Sequence, residues 1–132
     1  MTVHADGTFK VEDWQEEEFG EFGGDRKLAR ASVRQAISGD LDGTGSVEWL
    51  MCYRPDRTAD FVGLQHVDGR LGGRTGSFVM RVSGTFDGEE ARGELSVVPG
   101  SGTGDLDGIS GRGEFSAPRG PEARVSLDYD LG

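Results

Sequence analysis

The stretch Thr44-Gly45-Ser46-Val47-Glu48-Trp49-Leu50-Met51-Cys52-Tyr53-Arg54, with the two segments that follow it, decides the fold. Side chains alternate across a strand with period two, so Val47, Trp49, Met51 and Tyr53 share one face. Pro55-Asp56-Arg57 carries turn chemistry, and Thr58 to Val67 is the returning strand. Asp68-Gly69 and Gly72-Gly73 interrupt the pattern before Ser77 to Phe86 alternates again, with Phe78, Met80, Val82 and Phe86 opposite Ser77, Arg81, Ser83 and Thr85. Three amphipathic strands in a row, joined by short turns, describe an antiparallel meander.

The same pattern extends in both directions. Thr8 to Trp14 is a first strand with Phe9, Val11 and Asp13 on one side and Trp14 on the other. Gln15 to Asp25, broken by Gly20, Gly23 and Gly24, is expected to be a loop. Lys27 to Ile37 sets Ala29, Ala31, Val33 and Ile37 against Leu28, Arg30, Ser32 and Arg34, and Ser38 to Gly43 turns the chain. Beyond Phe86, Asp87-Gly88 is a hairpin signal, and Glu90 to Val98 faces Ala91, Gly93, Leu95 and Val97 inward. A glycine-rich hairpin spans Pro99 to Gly108. Ile109 to Ser116, a turn at Ala117 to Pro121, and Ala123 to Tyr129 complete the set.

Eight strands with one apolar face each leave that face wet and both edges open in a flat sheet. An all-β, eight-stranded antiparallel up-and-down barrel, a single domain over residues 1–132, solves both problems. A two-sheet sandwich is the rival, but Greek-key sandwiches need long crossovers that the chain lacks. Glycines at inward positions 93, 111 and 113 suit the sharply bent parts of a small closed sheet.

Composition narrows the function classes. With 132 residues, a net charge of −10 repels phosphate backbones and anionic membranes, so neither nucleic acid nor a membrane is expected as a partner. The single Cys52 forms no internal disulfide, no apolar run reaches the roughly 20 residues of a membrane helix, and the first residues lack a signal-peptide pattern. A cytoplasmic location is the resulting expectation.

Certain blocks resemble a known family: Leu50-Met51-Cys52-Tyr53-Arg54, Phe61-Val62-Gly63-Leu64, Gly73-Arg74-Thr75-Gly76-Ser77-Phe78-Val79 and Val98-Pro99-Gly100-Ser101-Gly102-Thr103-Gly104-Asp105-Leu106. They are similar to the bacterial domain of unknown function catalogued as family 3224. The resemblance covers nearly the whole chain and implies an allene-oxide-cyclase-like (calycin-like) barrel, whose relatives include cofactor-free cyclases and dirigent proteins. Where the resemblance leads one to expect an acid after Gly63-Leu64, this chain has Gln65, and Val82 stands where a histidine is expected. Acid/base chemistry at those two positions is therefore not carried over.

The candidate site residues follow from strand phase. Asp13, in phase with Phe9 and Val11, is either an inward carboxylate able to take a proton or a solvated rim residue. Tyr53 and Tyr129 end apolar faces and are placed to offer phenol groups at a cavity mouth, or to fill the core. Trp49, Met51, Phe78, Met80, Phe86 and Leu127 either line a lumen or pack it shut. Gln65 is a candidate for orienting a ligand carbonyl, although Val62, Leu64 and His66 make an equally good apolar face on that strand. Gly100-Ser101-Gly102-Thr103-Gly104 lacks a P-loop lysine and a following helix, and the two Gly-Asp-Leu-Asp-Gly runs lack the calcium-loop spacing. No metal or cofactor is expected. Two functions remain: a cofactor-free isomerase or cyclase with Asp13 and Tyr53 as catalytic groups, and a carrier that binds a small apolar molecule unchanged. A third is a packed barrel acting through its outer surface, as a homo-oligomer using Trp14, Leu50 and Cys52.

Overall fold

The computed structural model describes residues 2–118, 120 and 122–132. Nine strands follow one another: β1 (Val3–Glu21), β2 (Lys27–Gly39), β3 (Leu41–Tyr53), β4 (Ala59–Leu71), β5 (Arg74–Phe86), β6 (Glu90–Val97), β7 (Thr103–Gly104), β8 (Ser110–Pro118) and β9 (Glu122–Asp130). Eight of them form a closed antiparallel ring in the order β1-β2-β3-β4-β5-β6-β8-β9, while β7 is a two-residue addition on β5. The ring closes where Val3 to Lys10 of β1 pairs with Tyr129 to Glu122 of β9. Closure leaves no pair of sheets to face each other, so the sandwich is ruled out. No helix is present among the described residues, and none is long and apolar enough to cross a membrane.

The turns obey the chemistry of their residues. Gly72 and Gly73 take φ of 58° and 84°, the left-handed region in which a two-residue hairpin turn matches strand twist. Asp56 Oδ1 accepts the Thr58 N–H at 3.0 Å and its hydroxyl at 2.6 Å, which fixes the β3–β4 reversal. Asp87 Oδ1 accepts the N–H groups of Glu89 and Glu90 at 2.9 and 2.8 Å and fixes the β5–β6 reversal. The turn expected at Ala117–Pro121 includes Arg119 and Pro121, which lie outside the described residues.

Two elements depart from the sequence pattern. Gln15 to Glu21 continues β1 and pairs with Lys27 to Ser32 of β2; the glycines that forbid a helix there are tolerated in a strand, and Gly20 lies opposite Leu28. Asp68-Gly69 lies inside β4, opposite Gly43 and Thr44, so only Gly72-Gly73 turns the chain.

The interior is divided along the barrel axis. One end is solid. Phe9, Leu71, Phe78, Met80 and Leu127 are almost fully buried there, and the 98–109 connection folds beneath them, contributing Leu106 and Ile109. Ser101 holds this plug in place, its hydroxyl accepting the Val79 N–H at 3.0 Å and donating to Val98 O at 2.7 Å. The opposite end is lined by small residues of β2, Ala29, Ala31 and Val33, with Met51 and Val47 beside them. There three aromatic rings lie across glycines of adjacent strands: Trp49 opposite Gly63, Phe61 opposite Gly84, and Phe115 opposite Gly93. Trp49 and Phe61 meet edge to face at 5.0 Å, and Phe115 stands 5.9 Å from Phe61 and 6.3 Å from Trp49.

A Cβ at position 93 would lie 2.3 Å from Phe115 Cε1 and 2.5 Å from Ser83 O. Gly93→Ala is therefore expected to lower unfolding free energy by roughly 1–3 kcal/mol, the usual cost of overpacking. Phe115→Leu in the same background should recover part of that loss, a coupling that chemical denaturation of the four proteins in the cycle measures.

Candidate functional site

The open end holds a cavity of about 190 Å³. Its walls include Phe9, Trp49, Met51, Phe61, Phe115 and Val125, with Gln35 and Gln65 as the buried polar side chains. Ala91, Ala117 and Ala123 supply the space that larger residues would fill. A wider groove of about 710 Å³ on the outer face of β6, β8, β9 and β1 is open to solvent, and Glu90, Arg92, Glu114 and Arg124 give it mixed charge. The lumen is smaller but less open and lined mainly by apolar side chains, so it is the candidate site.

The geometry of the mouth comes from one irregularity in β1. Up to Val11, opposite Gln35, the strand keeps its phase; then Asp13 pairs with Arg34 and Trp14 with Val33. This β-bulge at Glu12 moves the side chains from Asp13 to Glu18 to the other face, until a second register shift at Phe19. Asp13, expected in phase with Phe9 and Val11, is exposed and lies opposite the outward Arg34. Its Oδ1 accepts a hydrogen bond from Gln15 Nε2 at 3.2 Å. Trp14, expected outside, lines the cavity. Glu16 and Glu18, opposite the buried Ala31 and Ala29, come to the rim of the mouth.

A hydrogen-bonded cluster forms there. Glu16 accepts Trp14 Nε1–H at 2.9 Å through one carboxylate oxygen and the Tyr53 hydroxyl at 3.0 Å through the other. Lys27 Nζ is 3.0 Å from Glu18 Oε1 and sits 5.5 Å from the centroid of the Tyr53 ring. Burial first, then the hydrogen bond to Glu16 and the negative charges of Glu16 and Glu18, push the Tyr53 hydroxyl up to about 12. Tyr53 is thus a neutral phenol whose proton is committed to Glu16.

Of the sequence candidates, Trp49, Met51 and Gln65 meet in the lumen wall. Gln65 points inward because Phe61, Gly63, Gln65 and Val67 form the inner phase of β4, which leaves Val62 and Leu64 more than half exposed. Phe78, Met80 and Leu127 belong to the solid end. Tyr129 is also there: a Cβ on Gly72 of the far turn would lie 2.6 Å from its hydroxyl, so Tyr53 and Tyr129 occupy opposite ends of the barrel. Phe86 is half-buried at the rim and is not part of the cavity wall. Cys52 is partly buried on the outer phase, opposite Leu28 and Asp60.

Sequence reasoning missed Gln35, Phe61, Phe115, Trp14 and Glu16. Gln35 stood in the same alternation as Val33 and Ile37, and a polar residue in an apolar phase was the available signal. Phe61 and Phe115 were signalled by the inward glycines at 84 and 93, which lie opposite them and leave a surface for a ring to cover. Trp14 and Glu16 carried no such signal, because a bulge leaves the alternation intact on each side of itself.

The mouth cluster predicts a late tyrosine. Of the two tyrosines, Tyr53 should ionise about two pH units above the ordinary value near 10. Glu16→Gln should bring it partway down, since burial remains; tyrosinate absorbance reads both. The folded value lies above the unfolded one, so the stability contributed by the protonated phenol is complete below pH about 10 and is lost as pH rises toward 12.

The fold is similar to a crystal structure of a protein with unknown function from the DUF3224 family of Shewanella oneidensis MR-1. The two share 25% identity with a TM-score of 0.78, over 100% of this chain and 99% of that one. No curated protein matches the chain. The family model described as protein of unknown function (DUF3224) matches residues 5–129, and the chain belongs to that family.

Proposed function

We propose that this protein is a binding barrel that holds one small, neutral, largely apolar molecule in its lumen. The observation that carries the reading is the 190 Å³ cavity walled by Trp49, Phe61 and Phe115 at one end of a barrel whose other end is solid. An engineered apolar cavity of about 150 Å³ binds benzene, so this space suits a single ring or a short branched chain. It lies below the roughly 300 Å³ at which drug-sized sites begin, so a longer ligand would extend through the mouth past Trp14.

A binding role fits the placement of polar groups better than a catalytic one. Asp13 is in solvent, and the Tyr53 hydroxyl is already donated to Glu16. The second reading, a cofactor-free isomerase or cyclase, rests on that same pair, because a phenol released from Glu16 is a hydrogen-bond donor beside the mouth. Tyr53→Phe separates the two. Conversion of a bound molecule that stops in this variant while binding persists supports catalysis; binding without conversion in the unaltered protein supports the carrier.

Trp14 and Trp49 are the two tryptophans of the chain and both line the lumen, so intrinsic fluorescence reports on occupancy. Toluene should produce a saturable change. Trp49→Ala should weaken binding by removing one wall, and Ala91→Phe, which fills the cavity, should abolish it with the circular dichroism spectrum unchanged. No saturable change in the unaltered protein, or binding that survives Ala91→Phe, would overturn the lumen as the site.

A further inference from the structure

Two polar side chains are buried in the wall of the apolar lumen, and they do not satisfy each other. Gln35 of β2 is 8% exposed and Gln65 of β4 is 4% exposed. They reach across β3, where Gly45, opposite both Gln35 and Val67, leaves room: a Cβ there would stand 3.3 Å from Gln35 Oε1. Gln65 Nε2 donates to Gln35 Oε1. That is the one hydrogen bond either side chain makes among the described residues. A pair of primary carboxamides joined by one bond leaves one NH2 group and one carbonyl unused. No buried side-chain nitrogen or oxygen among the described residues is without a partner, so the unused Gln35 Nε2 and Gln65 Oε1 are the atoms that reach the open space of the cavity.

The remaining wall decides the charge of what those atoms meet. Among the described residues the lumen presents no cation; the one charged side chain they place in its wall is Glu122, and Glu16 and Glu18 stand at the rim. A carboxylate placed against Gln35 would lose much of its hydration without gaining a counter-charge from those residues, which is costly against an apolar wall. A neutral group has no such penalty.

We propose that Gln35 and Gln65 form a recognition site for a neutral molecule carrying an acceptor and a donor side by side, as in a cyclic amide. The amide carbonyl accepts from Gln35 Nε2, the amide N–H donates to Gln65 Oε1, and the ring carbons lie against Trp49, Phe61 and Phe115. This assignment rests on the lumen-binding reading and adds the polar chemistry of the ligand to it.

The test titrates the intact protein with ε-caprolactam, cycloheptanone, toluene and hexanoate, following tryptophan fluorescence and the side-chain NH2 signals of Gln35 and Gln65 by NMR. The lactam is expected to bind about tenfold more tightly than the ring ketone, the advantage of pairing a buried donor and acceptor that the ketone leaves half used. It should also shift both glutamine NH2 signals, and hexanoate should not bind. The double variant Gln35→Met with Gln65→Met, close in volume, should bind lactam and ketone equally and keep toluene. Equal affinities for lactam and ketone in the unaltered protein overturn the polar recognition and leave lumen binding standing. Failure of toluene and both rings to bind overturns lumen binding itself. The comparison of ligands on the unaltered protein decides the matter even where the double variant does not fold.

Discussion

Three aromatic rings packed over glycines shape the open half of this barrel. Trp49, Phe61 and Phe115 each lie opposite a glycine of the neighbouring strand, at 63, 84 and 93, and Gly84 in turn pairs with Gly93. The glycines let the backbones curve tightly enough to close, and the rings cover the surface that absent side chains would leave bare. Each contact among the rings contributes about 0.5–1.5 kcal/mol beyond burial. The same three rings set the width of the lumen, so the device that closes the sheet also defines the space inside it. A side chain on Gly93 would intrude on the Phe115 ring and the Ser83 carbonyl together.

Much of this was legible in the sequence, because closure follows from counting. Eight alternating segments with short turns have one economical solution, and the strand phases of β2, β3, β5, β6, β8 and β9 follow from simple alternation. The phase of β4 was ambiguous for a physical reason. Val62, Leu64 and His66 are bulkier than Gly63, and hydrophobic pattern alone favours the wrong face when an inward position must be glycine to admit Trp49. Pairing supplies what pattern lacks: once Trp49 of β3 is inward, its partner Gly63 is inward as well.

The half of the site contributed by β1 was not legible. A bulge at Glu12 inserts one residue against β2 and exchanges the faces of the residues up to Glu18, which turned Asp13 out and brought Trp14 and Glu16 to the mouth. The acidic run expected to be a loop extends β1 instead and brings Glu16 and Glu18 to the rim of the mouth. Beyond Lys10 this strand has no partner on its β9 side among the described residues, so its carboxylates also protect an open edge from pairing with another chain. One segment thereby serves two constraints, and neither is visible in a periodicity count that assumes unbroken register.

The void is not something the fold demands. The solid end of the same barrel fills its interior with Phe78, Met80, Leu71 and Leu127, whereas the open end uses Ala29, Ala31, Ala91, Ala117 and Ala123. At about 24 cal/mol per Å³, leaving 190 Å³ unfilled by side chains forgoes at most roughly 4–5 kcal/mol, a large share of the 5–15 kcal/mol that usually separates folded from unfolded chains. Burying two glutamines with half of their hydrogen-bonding capacity unused adds to that loss. Larger apolar side chains at the alanine positions and apolar replacements for Gln35 and Gln65 would remove both costs without altering the strand order. A barrel selected for stability alone has no use for either feature, while one that receives a small polar-headed ring needs both, since the ligand fills the space and completes the hydrogen bonds.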